Sequence, residues 1–454
     1  MRYVWSLFCV ALAWPAVSAA AVAEPTETAD SAASSAAADT AAATPMSAAT
    51  AVDTGLPGGV HGYGLAALTQ TQARSTAANP DNLFDTGGGS GEAALGLEGD
   101  LHGLRWRARL TLTGDRSDNW PDHRGIELQE LHYGWRWGER WHFSAGQQLL
   151  TWDNGLSYQP LGFFKSSQTD LRDVFDTEGR SEGLPMLVAT RLGDTVTTDF
   201  VASVANPRSD MAERRNARQL AVRWSGELYE GLNTALMLRQ REGARTGAGL
   251  SASYGVDELT LRGDAYFGPA EARWFPAGLV TDAPQLYTPP LAFSFDPGGA
   301  YRLRSELGAT WTPQRGLALY AEWIHHGEGL SGAEWDRYRA QLAVHAAALD
   351  GPWHDAAVGN LGTDLSVLGS SPAGVRRDYL YLRAELGQGD ATWYLSTFAG
   401  LADGSAMSTL SKTWQLREHT TLRADLSAFT GHAGSEFGLT PYRYQANLVL
   451  LHTF

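Results

Sequence analysis

The last eleven residues of the chain, Tyr444 to Phe454 (YQANLVLLHTF), alternate without interruption. Tyr444, Ala446, Leu448, Leu450, His452 and Phe454 fall on one side of an extended backbone, while Gln445, Asn447 and Thr453 fall on the other. A residue period of two is the period of a strand, and a helix would scatter the same apolar set around its axis. The chain therefore ends on a strand with one apolar face, and the rest of the fold has to give that face an apolar neighbour.

The opposite end reads as an address. Met1, Arg2 and Tyr3 make a short charged start, Val4 to Ala13 an apolar core, and Ala19 or Ala23 closes a small-residue site, so residues 1–23 are expected to be a secretory signal peptide cleaved near Ala23. The apolar run is too short to cross a bilayer as a helix, which takes about 20 residues. Cys9 is the only cysteine and lies inside this leader, after a Phe8 too large for a lipoprotein cleavage site. The mature chain then has neither disulfides nor thiolate metal sites. Residues 24–56 are mostly Ala, Thr and Ser with few large side chains, the composition of a disordered periplasmic tether.

Composition narrows the remainder. A chain of 454 residues with 50 Gly, 16 Trp, 16 Tyr and a net charge of -15 is long, aromatic, glycine-rich and acidic. A transmembrane barrel explains this: only one face of each strand meets lipid, Trp and Tyr collect at the two interfaces, and Gly serves the turns. The acidic balance argues against nucleic acid as a partner.

Period-2 segments from residue 57 onward predict an all-β fold, an antiparallel up-and-down transmembrane barrel of about eighteen strands (range 16–18), the first near 60–70 and the last at 441–454. Their connections alternate in length. Those at 100–103, 138–140, 193–195, 226–231, 256–257, 313–315, 387–390 and 416–419 are short, and the others are mostly longer. Short periplasmic turns opposite long outer loops are a barrel's habit. Trp137, Trp141, Trp224, Trp311, Trp393 and Trp414 all sit beside short turns, as a periplasmic aromatic girdle would. Closure is a physical requirement, because a sheet edge in hydrocarbon leaves amides with no water to bond. The strand at 60–70 should therefore pair with the one at 441–454.

One charge pattern recurs. Arg262 and Asp264, Arg304 and Glu306, Arg383 and Glu385, and Arg423 and Asp425 each stand two residues apart, hence on one face, with leucine just before each arginine on the other. An arginine facing lipid at mid-depth costs about 2–4 kcal/mol, which assigns this face to the lumen. Arg105, Arg107 and Arg109 alternate with Trp106, Ala108 and Leu110, and Arg223 and Arg239 follow the same rule. The interior is expected to be polar and arginine-rich. Such a wall can attract anions or brace the barrel through Arg to carboxylate pairs. Bracing is the weaker expectation for Arg105, Arg107 and Arg109, which have no carboxylate on their own strand.

Three connections are far longer than the rest. Trp152 to Pro185 is dense in aromatic and charged residues and could fold into the lumen as a constriction, with Asp170, Asp173, Asp176 and Glu178 as its acidic stretch. Calcium on those four carboxylates is the minor reading, since their spacing matches no EF-hand loop. Gly268 to Ala300 is proline-rich and reads as a semi-rigid cap. His326 to Arg376 holds a predicted helix, Ala333 to Leu349, with Trp335, Tyr338, Leu342 and Leu349 along one stripe, placed over the barrel mouth.

The terminal Phe strand, the leader and the meander together resemble a bacterial outer-membrane porin over residues 57–454. The Arg-rich lumen, the strand number and the Gly146 to Gly155 segment (GQQLLTWDNG) are similar to the alginate-export type of outer-membrane channel. The resemblance implies passive diffusion of polar or anionic solutes, oligo- or polysaccharides among them, with outer-membrane lipids around the barrel. It also implies recognition of the C-terminal strand by the barrel-assembly machinery. No cofactor, metal or catalytic site is expected. Two other functions stay open: a barrel lipase or acyltransferase using His325, His326 and Ser331, and a plugged barrel serving as scaffold for a partner protein. No nucleophile elbow supports the former.

Overall fold

A computed structural model describes residues 60–115, 123–164, 182–204, 217–270, 273–275, 292–294, 300–370 and 374–454. The leader at 1–23 and the tether at 24–56 lie outside them. Strands run in chain order as β1 (Val60–Ala73), β2 (Gly88–Leu101), β3 (Leu104–Asp115), β4 (His123–Trp137), β5 (Trp141–Gln148), β6 (Leu184–Leu192) and β7 (Thr197–Ser203). Next come β8 (Gln219–Tyr229), β9 (Leu232–Arg241), β10 (Gly247–Val256) and β11 (Leu259–Pro269). A short separate pair, β12 (Arg273–Phe275) and β13 (Ala292–Ser294), precedes β14 (Tyr301–Gln314) and β15 (Leu317–His326). The last five are β16 (Asp378–Gln388), β17 (Ala391–Gly400), β18 (Ala406–Arg417), β19 (Thr420–Thr430) and β20 (Tyr442–Thr453).

All but β12 and β13 belong to one antiparallel sheet of 18 strands in which each strand pairs with the next, and β1 pairs with β20 to close it. The closing seam is tight: Phe454 and Gly62 exchange both backbone hydrogen bonds, at 2.8 and 2.9 Å. The Phe454 ring lies over Gly62, where a Cβ would come within 2.5 Å of it, so the first strand needs glycine there.

Alternation does the rest. Ile126 is 85 % exposed, and Leu68, Leu110, Leu220, Leu261, Leu303 and Leu448 are exposed on the same outer side. Such a continuous apolar skin is stable only against lipid. Short turns gather at one end. At His102–Gly103 both residues take positive φ (52° and 89°), the geometry that suits the twist of a two-residue hairpin. Trp137, Trp224, Trp311 and Trp393 are exposed at this end, and the Lys412 ammonium sits between Trp393 and Trp414, 4.4 and 4.9 Å from their rings.

The other end carries the long connections. Between β15 and β16 stand α1 (Gly332–Ala347) and α2 (His354–Ser370). The first matches the expected helix, opened by a capping box between Ser331 and Glu334, with Trp335, Tyr338 and Leu342 buried and Leu349 packed against them. The second has no counterpart among the predicted elements. Gly359 and Gly362 lower its intrinsic propensity, and burial of Ala357, Leu361, Val367 and Leu368 compensates. Much of that apolar surface joins α1, Ala78, Phe84 and Leu439 in one core. Burial pushes the Tyr338 hydroxyl well above its ordinary range, and it donates to the Asp364 carbonyl at 2.8 Å.

Candidate functional site

Leaving β5, the chain turns inward instead of out. The backbone amides of Asn154 and Gly155 donate to Asp264 Oδ2 on β11 at 2.6 and 3.0 Å. Those of Leu156 and Ser157 donate to the two oxygens of Glu322 on β15 at 2.7 and 2.9 Å, and the Ser157 hydroxyl donates to the same carboxylate. Four consecutive N–H groups are thus received by two wall carboxylates. Around the wall β6 and β15 are seven strands apart, about 34 Å at the usual strand spacing. A loop between β5 and β6 reaches β15 only by crossing the lumen.

Its side chains explain the crossing. Trp152, Leu161, Phe163 and Phe164 bury against Met186, Val188, Val201, Ala221, Met237 and Tyr266 of the near wall. Tyr158 reaches the opposite group, Ile324, Tyr379, Tyr381, Phe398, Met407 and Phe429, together with Phe437 from the β19–β20 connection. Gly155 has no room for a side chain, since a Cβ there would stand 2.1 Å from the Tyr158 carbonyl oxygen. Leu150 and Phe164 form an isolated bridge that closes the segment on itself. Of the expected constriction loop, residues 152–164 therefore lie inside the barrel, while Asp170, Asp173, Asp176 and Glu178 lie outside the described residues.

The wall carries an aromatic sector beside the polar, arginine-bearing interior expected from the alternation. Toward the long-loop end, β15 to β19 present the aromatic group just named, because Tyr158 and Phe437 cover it and make it a protein core. Elsewhere the arginines occupy the face the alternation assigned. Arg383 with Glu385 and Arg423 with Asp425 form same-strand pairs, each at 3.1 Å. Arg262 instead pairs across strands with Glu322 and stands 3.8 Å from Glu306, while Asp264 serves the inward segment. Arg304 bonds Glu328 at 2.8 Å and lies over Phe163 and Tyr266. Arg239 donates to Gln219 at 2.8 Å and stacks on Phe163 at 3.9 Å. Arg223 stands 3.7 Å from Asp199, over Trp152.

On β3 the same-strand criterion misled. Arg107 meets Glu98 at 2.7 Å and Glu130 at 3.8 Å, and Arg109, only 2 % exposed, meets Glu92 at 2.6 Å. Their carboxylates come from the neighbouring strands β2 and β4, which a search along one strand cannot find. Arg105 is exposed and has no ion pair among the described residues. Ser331, one of the residues weighed for acyl chemistry, spends its hydroxyl on Glu334 at 2.6 Å as a helix cap, and His325 bonds Asp378 at 2.7 Å.

No family model matches the chain, and no curated protein matches it. Solved structures do. Acinetobacter baumannii OccAB1 aligns with a TM-score of 0.50 at 10 % identity, covering 87 % of this chain and 96 % of that one. Pseudomonas aeruginosa OccK5 aligns with a TM-score of 0.49 at 9 % identity, over 87 % and 97 % of the two chains. A Rhodopseudomonas blastica porin variant gives 0.41 at 12 % identity, over 87 % and 99 %. Likeness at these identities concerns the fold alone. The closed eighteen-strand sheet, its apolar outer skin and its sorted connections define a closed antiparallel β-barrel with the fold of the solved porins.

Proposed function

We propose that the chain is an outer-membrane channel through which small polar or anionic solutes diffuse passively. The observation that carries this reading is the crossing segment, tied by its own amides to Asp264 and Glu322 inside a barrel with charged walls. Barrels of 16–18 strands enclose a water-filled passage, and a single crossing segment narrows such a passage. A narrowed lumen favours small solutes over a polysaccharide chain. Arg105, Arg107, Arg223, Arg383 and Arg423, which keep contact with solvent, would line the passage, with their carboxylates tempering its charge, whereas Arg109, Arg239 and Arg304 are buried in the wall. The outward face of β20 is the surface that lipid and the barrel-assembly machinery would read.

The test is single-channel conductance of the refolded chain in planar bilayers, with the reversal potential in a salt gradient. Stepwise openings with a reversal potential displaced toward the anion value support the reading. A correctly inserted barrel that stays electrically silent overturns it in favour of a plugged scaffold.

A further inference from the structure

On the outer wall, three neighbouring strands align a serine, a histidine and an aspartate. Ser305 of β14 is the register partner of His325 on β15, which is in turn the partner of Asp378 at the start of β16. All three are on the outward face. Leu303 and Leu307 are exposed on either side of Ser305 and Trp323 beside His325, while the alternate positions, Glu306, Ile324 and Tyr379, are buried inward. The row lies near the long-loop end, between the paired rings of Phe267 and Tyr301 (5.1 Å) and the Trp323 ring, which stacks on His325 at 6.1 Å. Such rings mark the headgroup level of a membrane, where ester groups join lipid headgroups to their acyl chains.

Two of the three are already set for proton transfer. His325 Nδ1 bonds Asp378 Oδ1 at 2.7 Å, which places the ring proton on Nδ1 and leaves the Nε2 lone pair on the edge of the ring away from that bond, on the β14 side. Cross-strand neighbours stand about 4.5–5.5 Å apart at Cβ, so a Ser305 rotamer brings Oγ within reach of Nε2. Among the described residues neither Ser305 Oγ nor His325 Nε2 is bound elsewhere. A His and Asp pair by itself would only satisfy two polar groups at the rim. The serine in register on the other side of the imidazole adds a nucleophile to a base that a carboxylate orients.

We infer that Ser305, His325 and Asp378 form an esterase site on the membrane-facing wall, whose substrate is an acyl ester of a surrounding lipid. Ser305 Oγ adds to the ester carbonyl carbon as its proton passes to His325 Nε2. The bond from that carbon to the lipid alcohol oxygen then breaks, and the alcohol leaves with the proton. Water adds to the acyl-serine in the same way, His325 returning its proton to Ser305 Oγ as the fatty acid departs. Asp378 is a positioning residue that holds the imidazole, and Leu303 and Leu307 are apolar contacts for the acyl chain. Backbone amides around Ser305 belong to the β11 and β15 ladders and offer no oxyanion donor. Turnover should therefore be roughly 10²–10³-fold slower than in a site that has one.

A fluorophosphonate probe, which phosphonylates an activated serine with loss of fluoride, tests this on the refolded barrel in mixed micelles of detergent and phosphatidylethanolamine. Fatty-acid release is followed in parallel without the probe. One label per barrel is expected, located on Ser305 by peptide mass, together with slow fatty-acid release. Ser305→Ala should remove both, and His325→Gln should slow both by roughly 10²-fold or more, the usual weight of a general base. Asp378→Asn should slow them by at least roughly tenfold, with Asp378→Glu recovering most of the loss. Thermal unfolding should stay at the wild-type temperature in all four. No label, label that survives Ser305→Ala, a wild-type rate in His325→Gln, or a labelled serine that releases no fatty acid would overturn the site. Bilayer conductance separates this inference from the channel reading: a conducting barrel without label keeps the channel and sinks the esterase, and a silent barrel that labels at Ser305 and releases fatty acid does the reverse.

Discussion

Two sectors of the inner wall use the same residue types for different ends. Along β2 to β4, Arg107 and Arg109 meet Glu98, Glu130 and Glu92 directly, strand to strand. Along β11 to β15, Asp264 and Glu322 are turned toward backbone amides of the crossing segment, and only Glu322 also holds an arginine. The first sector braces the cylinder, whereas the second fastens the crossing segment to it. An arginine and a carboxylate two residues apart therefore do not define a role by themselves. What decides is whether unpaired N–H groups come within reach, because amides entering a buried place need acceptors more than a guanidinium needs a second partner.

The contrast can be broken most severely at Glu322. Glu322→Ala removes the acceptor of four donors, Leu156 N, Ser157 N, Ser157 Oγ and Arg262 Nη2. Loss of about 3 kcal/mol is expected after Arg262 turns to Glu306, since each unmatched buried donor costs ~1–3 kcal/mol. Thermal unfolding in detergent measures the loss, and flickering, enlarged conductance should accompany it. Arg109→Met attacks the bracing sector. It should cost about 2 kcal/mol, less than the 3–5 typical of a fully buried pair because Glu92 keeps some solvent, and it should leave single-channel current steady. Flicker in Arg109→Met equal to that in Glu322→Ala would erase the distinction between the sectors.

Gly155→Ala sharpens it further. The added methyl meets the Tyr158 carbonyl, so a cost of about 1–3 kcal/mol is expected, together with a noisier current and unchanged β2–β4 pairing by hydrogen exchange. Arg105→Gln should be the mildest of the wall changes, moving the reversal potential toward cations with no shift in unfolding temperature.

Outside the membrane, Asp403 offers a pH handle of smaller effect. Burial pushes its pKa up, but hydrogen bonds from Glu436 N and Ser405, and the Arg376 charge, hold it below the usual carboxylate range. A depressed folded value means its contribution is complete at neutral pH and is lost as pH falls below the ordinary carboxylate range through the folded value. Limited proteolysis between β19 and β20 should accelerate in that acid window, and Asp403→Asn should show the faster cleavage already at pH 7.

Much of this architecture was legible because a barrel repeats one rule. The period-2 pattern predicts about eighteen strands and the closing pair, and the turn lengths sort the connections to two ends. What stayed hidden depended on register or on tertiary packing. Once the turn is placed at His102–Gly103, residues equidistant from it must face each other, so Glu98 opposite Arg107 could have been found; a search along single strands missed it. The aromatic patch on β15 to β19 could not be foreseen, since inward Tyr379 and Phe398 look like lumen residues until Tyr158 and Phe437 cover them. Nor could α2, whose glycines lower its helix propensity and whose apolar face is buried only once α1 packs on it. The inward turn of Trp152–Phe164 was foreseen as a region, but its anchors lie more than a hundred residues downstream, at Asp264 and Glu322.

The central claim is that a water-filled barrel is narrowed by a segment held through wall carboxylates. Single-channel recording of wild type beside Glu322→Ala tests it most directly. Steady stepwise openings in the wild type, with larger and noisier ones in the variant, are predicted. A wild type that inserts yet never conducts, or a variant with unchanged current, would contradict the account.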